Sequence, residues 1–133
     1  MLIGIPTELL EGENRVAATP ETVKKFVAKG LHQVLVQTGA GEKSSFPDSA
    51  YEEAGASLVD NAAKIYESAE LILKVQGPSD GESTLLKKNQ VIIGLLQPHS
   101  ETIINRLKAS GVIGFAMERL PRISRAQSMD VLS

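Results

Sequence analysis

Leu71-Ile72-Leu73-Lys74-Val75, then residues 83–88, then Val91-Ile92-Ile93-Gly94-Leu95-Leu96, then residues 101–110, then Val112-Ile113-Gly114-Phe115-Ala116: this succession decides the fold. The three apolar runs have the length of buried strands and are too short for core helices. Between them, residues 83–88 read as helical, and residues 101–110 carry Ile103, Ile104 and Leu107 on one helical stripe. Strands that are apolar along both sides and separated by helices belong to a parallel sheet with helices on both faces. The predicted class is therefore α/β.

Working outward, the same alternation fills the N-terminal half. Leu2-Ile3-Gly4-Ile5 is a short buried strand, followed by Pro6 and a polar loop through Arg15. Thr19 suits an N-cap, Pro20 the first helical position, Glu21 the positive end of the helix, and Gly30 its stop. Val23, Phe26 and Val27 share one face of that helix, and residues 32–37 form the next strand. Short helices are expected over residues 51–55 and 62–68, which gives five strands in all.

The chain has 133 residues, 14 Lys and Arg against 16 Asp and Glu, a net charge of −2, two His and no Cys or Trp. Near-neutrality disfavours binding to nucleic acid or to an anionic membrane. The lack of Cys excludes thiolate chemistry and zinc-thiolate sites, and two distant His make a histidine metal site a poor reading, so no metal is expected. No apolar run approaches the ~20 residues of a membrane-spanning helix, and no basic-then-apolar leader opens the chain. A cytoplasmic protein is the expectation.

In a doubly wound sheet, ligands sit beyond the carboxyl ends of the strands, so the loops there hold the candidates. Arg15 follows the first strand in Glu13-Asn14-Arg15-Val16-Ala17 and either clamps a carboxylate or phosphate or pairs on the surface with Glu11 or Glu13. Lys74 lies inside an apolar strand. It either snorkels to the rim or is held by an anion, and desolvation would suit it to proton transfer. His99, after Gln97-Pro98, reads as a general base or as a structural residue before the next helix. Thr38-Gly39-Ala40-Gly41 satisfies neither a dinucleotide fingerprint nor a P-loop, because Ser44 and Glu42 stand where Gly is required; it reads as a tight turn. His32 is expected to do no chemistry.

The last segment, Pro121-Arg122-Ile123-Ser124-Arg125-Ala126-Gln127-Ser128-Met129-Asp130, is dense in hydrogen-bond donors without interleaved aromatics. With Ile3-Gly4-Ile5-Pro6 and Glu8, residues 13–20, Thr38-Gly39-Ala40-Gly41, Ala54-Gly55-Ala56 and Leu73-Lys74-Val75, it makes the chain resemble the NAD(H)-binding alpha subunit of proton-translocating NAD(P) transhydrogenases, a family related to alanine dehydrogenase. The resemblance implies a flavodoxin-like N-terminal lobe over residues 1–133. It also implies that the chain is a fragment, ending at Ser133 where a helix is starting; a Rossmann domain would follow before the chain returns to complete this lobe.

By the same resemblance, Arg122, Gln127, Asp130 and Ser133 surround the nicotinamide of NAD(H). Arg122, Gln127 and Asp130 are then the residues that orient hydride transfer to NADP(H) on a partner domain, and the isolated fragment is inactive. Such an enzyme is expected to be a homodimer, held at the inner membrane through partner subunits. Two alternatives stand beside it. One is the substrate lobe of an alanine or other amino-acid dehydrogenase, using Arg15 and Lys74, although that branch has a His where Gln97 stands, two positions before His99. The other is a non-enzymatic docking domain acting through the 122–130 loop.

Overall fold

The computed structural model describes residues 1–96 and 100–119. Its six strands are β1 (Leu2–Ile5), β2 (Gln33–Gln37), β3 (Ser57–Val59), β4 (Leu71–Gln76), β5 (Val91–Leu95) and β6 (Ile113–Ala116). Its α-helices are α1 (Pro20–Val27), α2 (Asp48–Glu53), α3 (Ala62–Ser68), α4 (Asp80–Ser83) and α5 (Glu101–Ser110). The strands form one all-parallel sheet in the order β3-β2-β1-β4-β5-β6. This is the α/β, doubly wound architecture that the alternation predicts.

Local chemistry explains most boundaries. The Thr19 hydroxyl accepts from the Thr22 amide, and Pro20 occupies the first turn of α1. The helix closes at Val27, earlier than Gly30, because Lys29 and Gly30 both adopt left-handed backbone, with φ of 62° and 68°. The expected helix over residues 83–88 is corrected to Asp80–Ser83. Ser79 and Glu82 form a reciprocal capping box that starts the helix three residues earlier. The strand β3 was not expected: it has three residues and lies on the sheet edge.

Crossover handedness then distributes the helices. The path β1-α1-β2-α2-β3 runs toward one edge and the path β3-α3-β4-α4-β5-α5-β6 toward the other, so right-handed connections put α1 and α2 on one face and α3, α4 and α5 on the opposite face. Two cores follow. On the first face, Ile3, Ile5, Val34 and Val36 pack with Val23 and Tyr51; on the second, Ile72 and Ile92 pack with Ile65, Tyr66 and Leu107. Gly4 allows the close approach of α3, since a Cβ there would lie 2.4 Å from Ile65 Cγ2.

Among the described residues, the first face is covered over β1, β2 and β3 and not over β4, β5 and β6. Beside α1, the register puts Leu71, Leu73, Ile93, Ile113 and Phe115 on this face; they are half-buried or exposed, Phe115 to 56%. Between α1 and these strands runs an apolar groove of about 480 Å³, lined by Ile3, Phe26, Leu71, Leu73, Ile93 and Leu95 among others. Among the described residues no helix lies over it.

Candidate functional site

The strands β1 and β4 are neighbours whose chain connections leave in opposite directions, so the crevice beyond their carboxyl ends is the topological switch point. It is filled by charged side chains of the chain itself. After β1, the loop turns back so that the Glu8 carboxylate accepts from two successive amides of β4, Val75 N to Oε2 at 2.8 Å and Gln76 N to Oε1 at 3.0 Å. Lys74 projects on the side of the sheet that carries α3 and α4. Its ammonium lies 2.9 Å from Glu82 Oε2 and 3.4 Å from Glu8 Oε1, with only 1% of the side chain exposed.

Glu82 is positioned by the capping box of α4 and also accepts from the Tyr66 hydroxyl at 2.9 Å. Burial, with the nearby Glu82 carboxylate, pushes the Tyr66 phenol well above its ordinary range, so it is a committed donor. A second carboxylate buttons the same loop to β4. Glu13 accepts from Arg15 Nε and Nη2 at 2.9 and 2.8 Å, from the Arg15 amide, and from the Gln76 side chain at 2.8 Å. The Arg15 side chain, then Gln76 and then the Arg15 amide hold the Glu13 carboxyl down from 4.5 to about 2.

Each sequence candidate can now be placed. Lys74 does not snorkel; two internal carboxylates hold it. Arg15 is the bland alternative, an ion pair with Glu13, although its guanidinium remains 66% exposed at the mouth of the crevice. Both residues border the 480 Å³ groove, yet different carboxylates engage them. Thr38-Gly39-Ala40-Gly41 is the expected turn, with Gly39 at φ 84°. Gln97, His99, Arg122, Gln127, Asp130 and Ser133 lie outside the described residues. Glu8, Glu82, Tyr66 and Gln76 were not anticipated. Two of them had a readable signal, Glu82 in the Ser79-x-x-Glu82 capping pattern and Glu8 in the block with Ile3-Gly4-Ile5-Pro6 that carries the family resemblance.

Fold and crevice define a doubly wound α/β domain whose switch point is closed by its own ion pairs. Residues 4–133 match the family model of the alanine dehydrogenase/PNT N-terminal domain, and the chain belongs to that family. It is 40% identical over 134 residues to the NAD(P) transhydrogenase subunit alpha of Cereibacter sphaeroides, covering all of this chain and 25% of that subunit. Against alanine dehydrogenase 1 of Staphylococcus aureus the identity is 37% over 134 residues, all of this chain and 35% of that protein. The crystal structure of transhydrogenase from Sinorhizobium meliloti superposes with a TM-score of 0.89 at 41% identity, over 99% of this chain and 38% of that one. The chain thus spans between about a quarter and two-fifths of the length of these relatives.

In the described part of the crevice the Glu8 and Glu13 carboxylates would repel a pyrophosphate, and the Thr22 amide at the start of α1 is taken by Thr19, so these residues by themselves form no dinucleotide cradle. Among the described residues, no group of three or more His, Asp or Glu is placed to hold a metal ion, and no helix is long and apolar enough to cross a membrane.

Proposed function

We propose that this chain is the N-terminal lobe of the NAD(H)-binding alpha subunit of an NAD(P) transhydrogenase, an oxidoreductase that moves hydride between NAD(H) and NADP(H) coupled to proton translocation. The observation that carries the reading is the match, along the whole chain, to a transhydrogenase alpha subunit and to a transhydrogenase structure. In this reading Arg122, Gln127, Asp130 and Ser133 orient the nicotinamide, and NADP(H) sits on a partner domain. The intact enzyme is a homodimer held at the inner membrane by partner subunits, and the lobe itself faces the cytoplasm.

The half-face that the described residues leave open is consistent with cover from chain beyond them. Every crossover up to β6 that runs toward β6 places its helix on the opposite face, so cover for Leu73, Ile93 and Phe115 must come from sequence after β6 or from another molecule. In this reading the lobe is completed by sequence that follows a Rossmann domain in the parent protein.

A second reading, the substrate lobe of an amino-acid dehydrogenase, needs Arg15 and Lys74 to meet a substrate carboxylate. Their engagement by Glu13, Glu8 and Glu82 weighs against it. Assay of the intact parent protein separates the two. Hydride transfer from NADH to an NADP⁺ analogue with indifference to pyruvate is expected; pyruvate-dependent NADH oxidation that Lys74→Ala abolishes would replace the reading. In the parent enzyme, Gln127→Asn is expected to slow single-turnover hydride transfer more than it weakens NADH binding. The chain of 133 residues alone is expected to show no micromolar NADH binding by calorimetry.

A further inference from the structure

We propose that Glu118 is a positioning residue for hydride transfer: its carboxylate clasps the Leu96 amide and so fixes the base of the segment that carries Arg122, Gln127 and Asp130. The inference rests on the transhydrogenase reading of those three residues and adds one that acts through them. Glu118 lies in the 3₁₀ turn over Met117–Arg119 that follows β6, and its Oε1 accepts from Leu96 N at 3.1 Å, across 22 positions of sequence. The contact bridges two exits at the carboxyl end of the sheet. β5 and β6 pair in register up to Gly94 and Ala116, and beyond that rung a side chain carries the connection. The base needs such a brace, because β6 is an edge strand of four residues with Ile113 and Phe115 exposed.

The amide that Glu118 grips is a rigid anchor. Leu96 is 2% exposed within the second core, and the carbonyl before it, on Leu95, accepts from Gly77 N at 3.0 Å. Gly114 of β6 leaves room for the Leu96 side chain, since a Cβ there would lie 3.0 Å from Leu96 Cδ1. A loop carboxylate set on strand-end amides is a device this fold uses twice. Glu8, after β1, accepts from Val75 N and Gln76 N and seats the loop that presents Arg15. Glu118 does the same after β6, four positions before Arg122. One of the three residues between them is Pro121, whose ring fixes φ, so a shift at the base is passed on rather than absorbed. Groups that orient a reacting ring depend on such support, because a misplacement of ~1 Å can cost ~100-fold in rate.

Single-turnover hydride transfer in the intact parent enzyme, with NADH affinity measured on the same preparations, tests this. Glu118→Ala is expected to slow transfer by about tenfold to a hundredfold while NADH affinity changes by less than about threefold. Glu118→Gln, whose amide oxygen still accepts from Leu96 N, is expected to transfer within about threefold of the wild type. Glu118→Asp keeps the charge and loses the reach, so it is expected to slow with the alanine variant, and it carries the comparison if that variant does not fold. Wild-type rates in Glu118→Ala overturn the proposal. So do equal losses of rate and affinity, which a merely structural role would give, a glutamine variant as slow as alanine, and a failure of both the alanine and aspartate variants to fold. A wild-type enzyme that moves no hydride from NADH to an NADP⁺ analogue overturns the transhydrogenase reading and this inference with it. Transfer in the wild type together with any of the preceding results overturns the inference alone.

Discussion

Strand β4 has two sides, and they live in different worlds. Ile72 and Lys74 point to the face covered by α3, α4 and α5, where Ile72 is fully buried and Lys74 is 4% exposed. Leu71, Leu73 and Val75 point to the other face, where, among the described residues, α1 and the segment Arg15-Val16-Ala17 border an apolar groove that runs past them. The sequence of the strand is apolar on both sides except for Lys74 and the terminal Gln76, so hydrophobicity alone predicts the reverse of what is seen. The one charged residue is on the sealed side, and three aliphatic residues are on the open side. A buried charge is tolerated where carboxylates meet it, and an aliphatic residue is half-exposed where the crossovers bring no helix.

Four substitutions rank this contrast. The largest effect is expected from Lys74→Ala, which leaves Glu8 and Glu82 facing each other without their shared cation. Breaking a buried pair in this way costs about 3–5 kcal/mol, to be read from urea unfolding. A loss no greater than that of a surface substitution would mean that the carboxylates find other partners. Next comes the two-sided comparison of Ile72→Ala with Leu73→Ala. The first removes a fully buried side chain and is expected to cost ~2–5 kcal/mol. The second, half-buried beside the groove, is expected to cost clearly less in this chain. Equal costs would show that the open face is sealed in solution.

The smallest effect concerns the end of the strand, where Gln76 donates to Glu13. Because the Glu13 carboxyl is held down at about 2 against an ordinary 4.5, its contribution is complete above pH 4.5 and is lost as the pH falls toward 2. Gln76→Leu is expected to move the Glu13 titration, followed by carboxyl-carbon NMR, part of the way back toward 4.5 while Arg15 still holds it. An unmoved titration would assign the whole depression to Arg15.

Much of the fold was readable because it is written in local signals. The short apolar runs at 71–75 and 91–96 gave the central strands, Thr19-Pro20 gave the start of α1, and Gly39 gave the turn after β2. The three residues of β3 were missed because Ser57-Leu58-Val59 is too short to show a period, and it pairs only through the register that β2 imposes. The helix lies at Asp80–Ser83 and not over 83–88 because the capping box of Ser79 and Glu82 fixes its start. In the site, Arg15 and Lys74 stood out by type and position. Glu8 and Glu82 did not, since nothing in a loop Glu and a short-helix Glu announces burial.

By itself, then, the sequence determined the class of fold, the order and approximate extent of most elements, and the family to which the chain belongs. All of these rest on patterns within a few residues of one another. Tertiary structure alone decided that Glu8 and Glu82 converge on Lys74 from 66 residues before it and 8 after, and that the described residues leave half of one sheet face open. Both are consequences of strand order and crossover hand, which bring distant residues together and send helices to one side or the other, and no local signal encodes either.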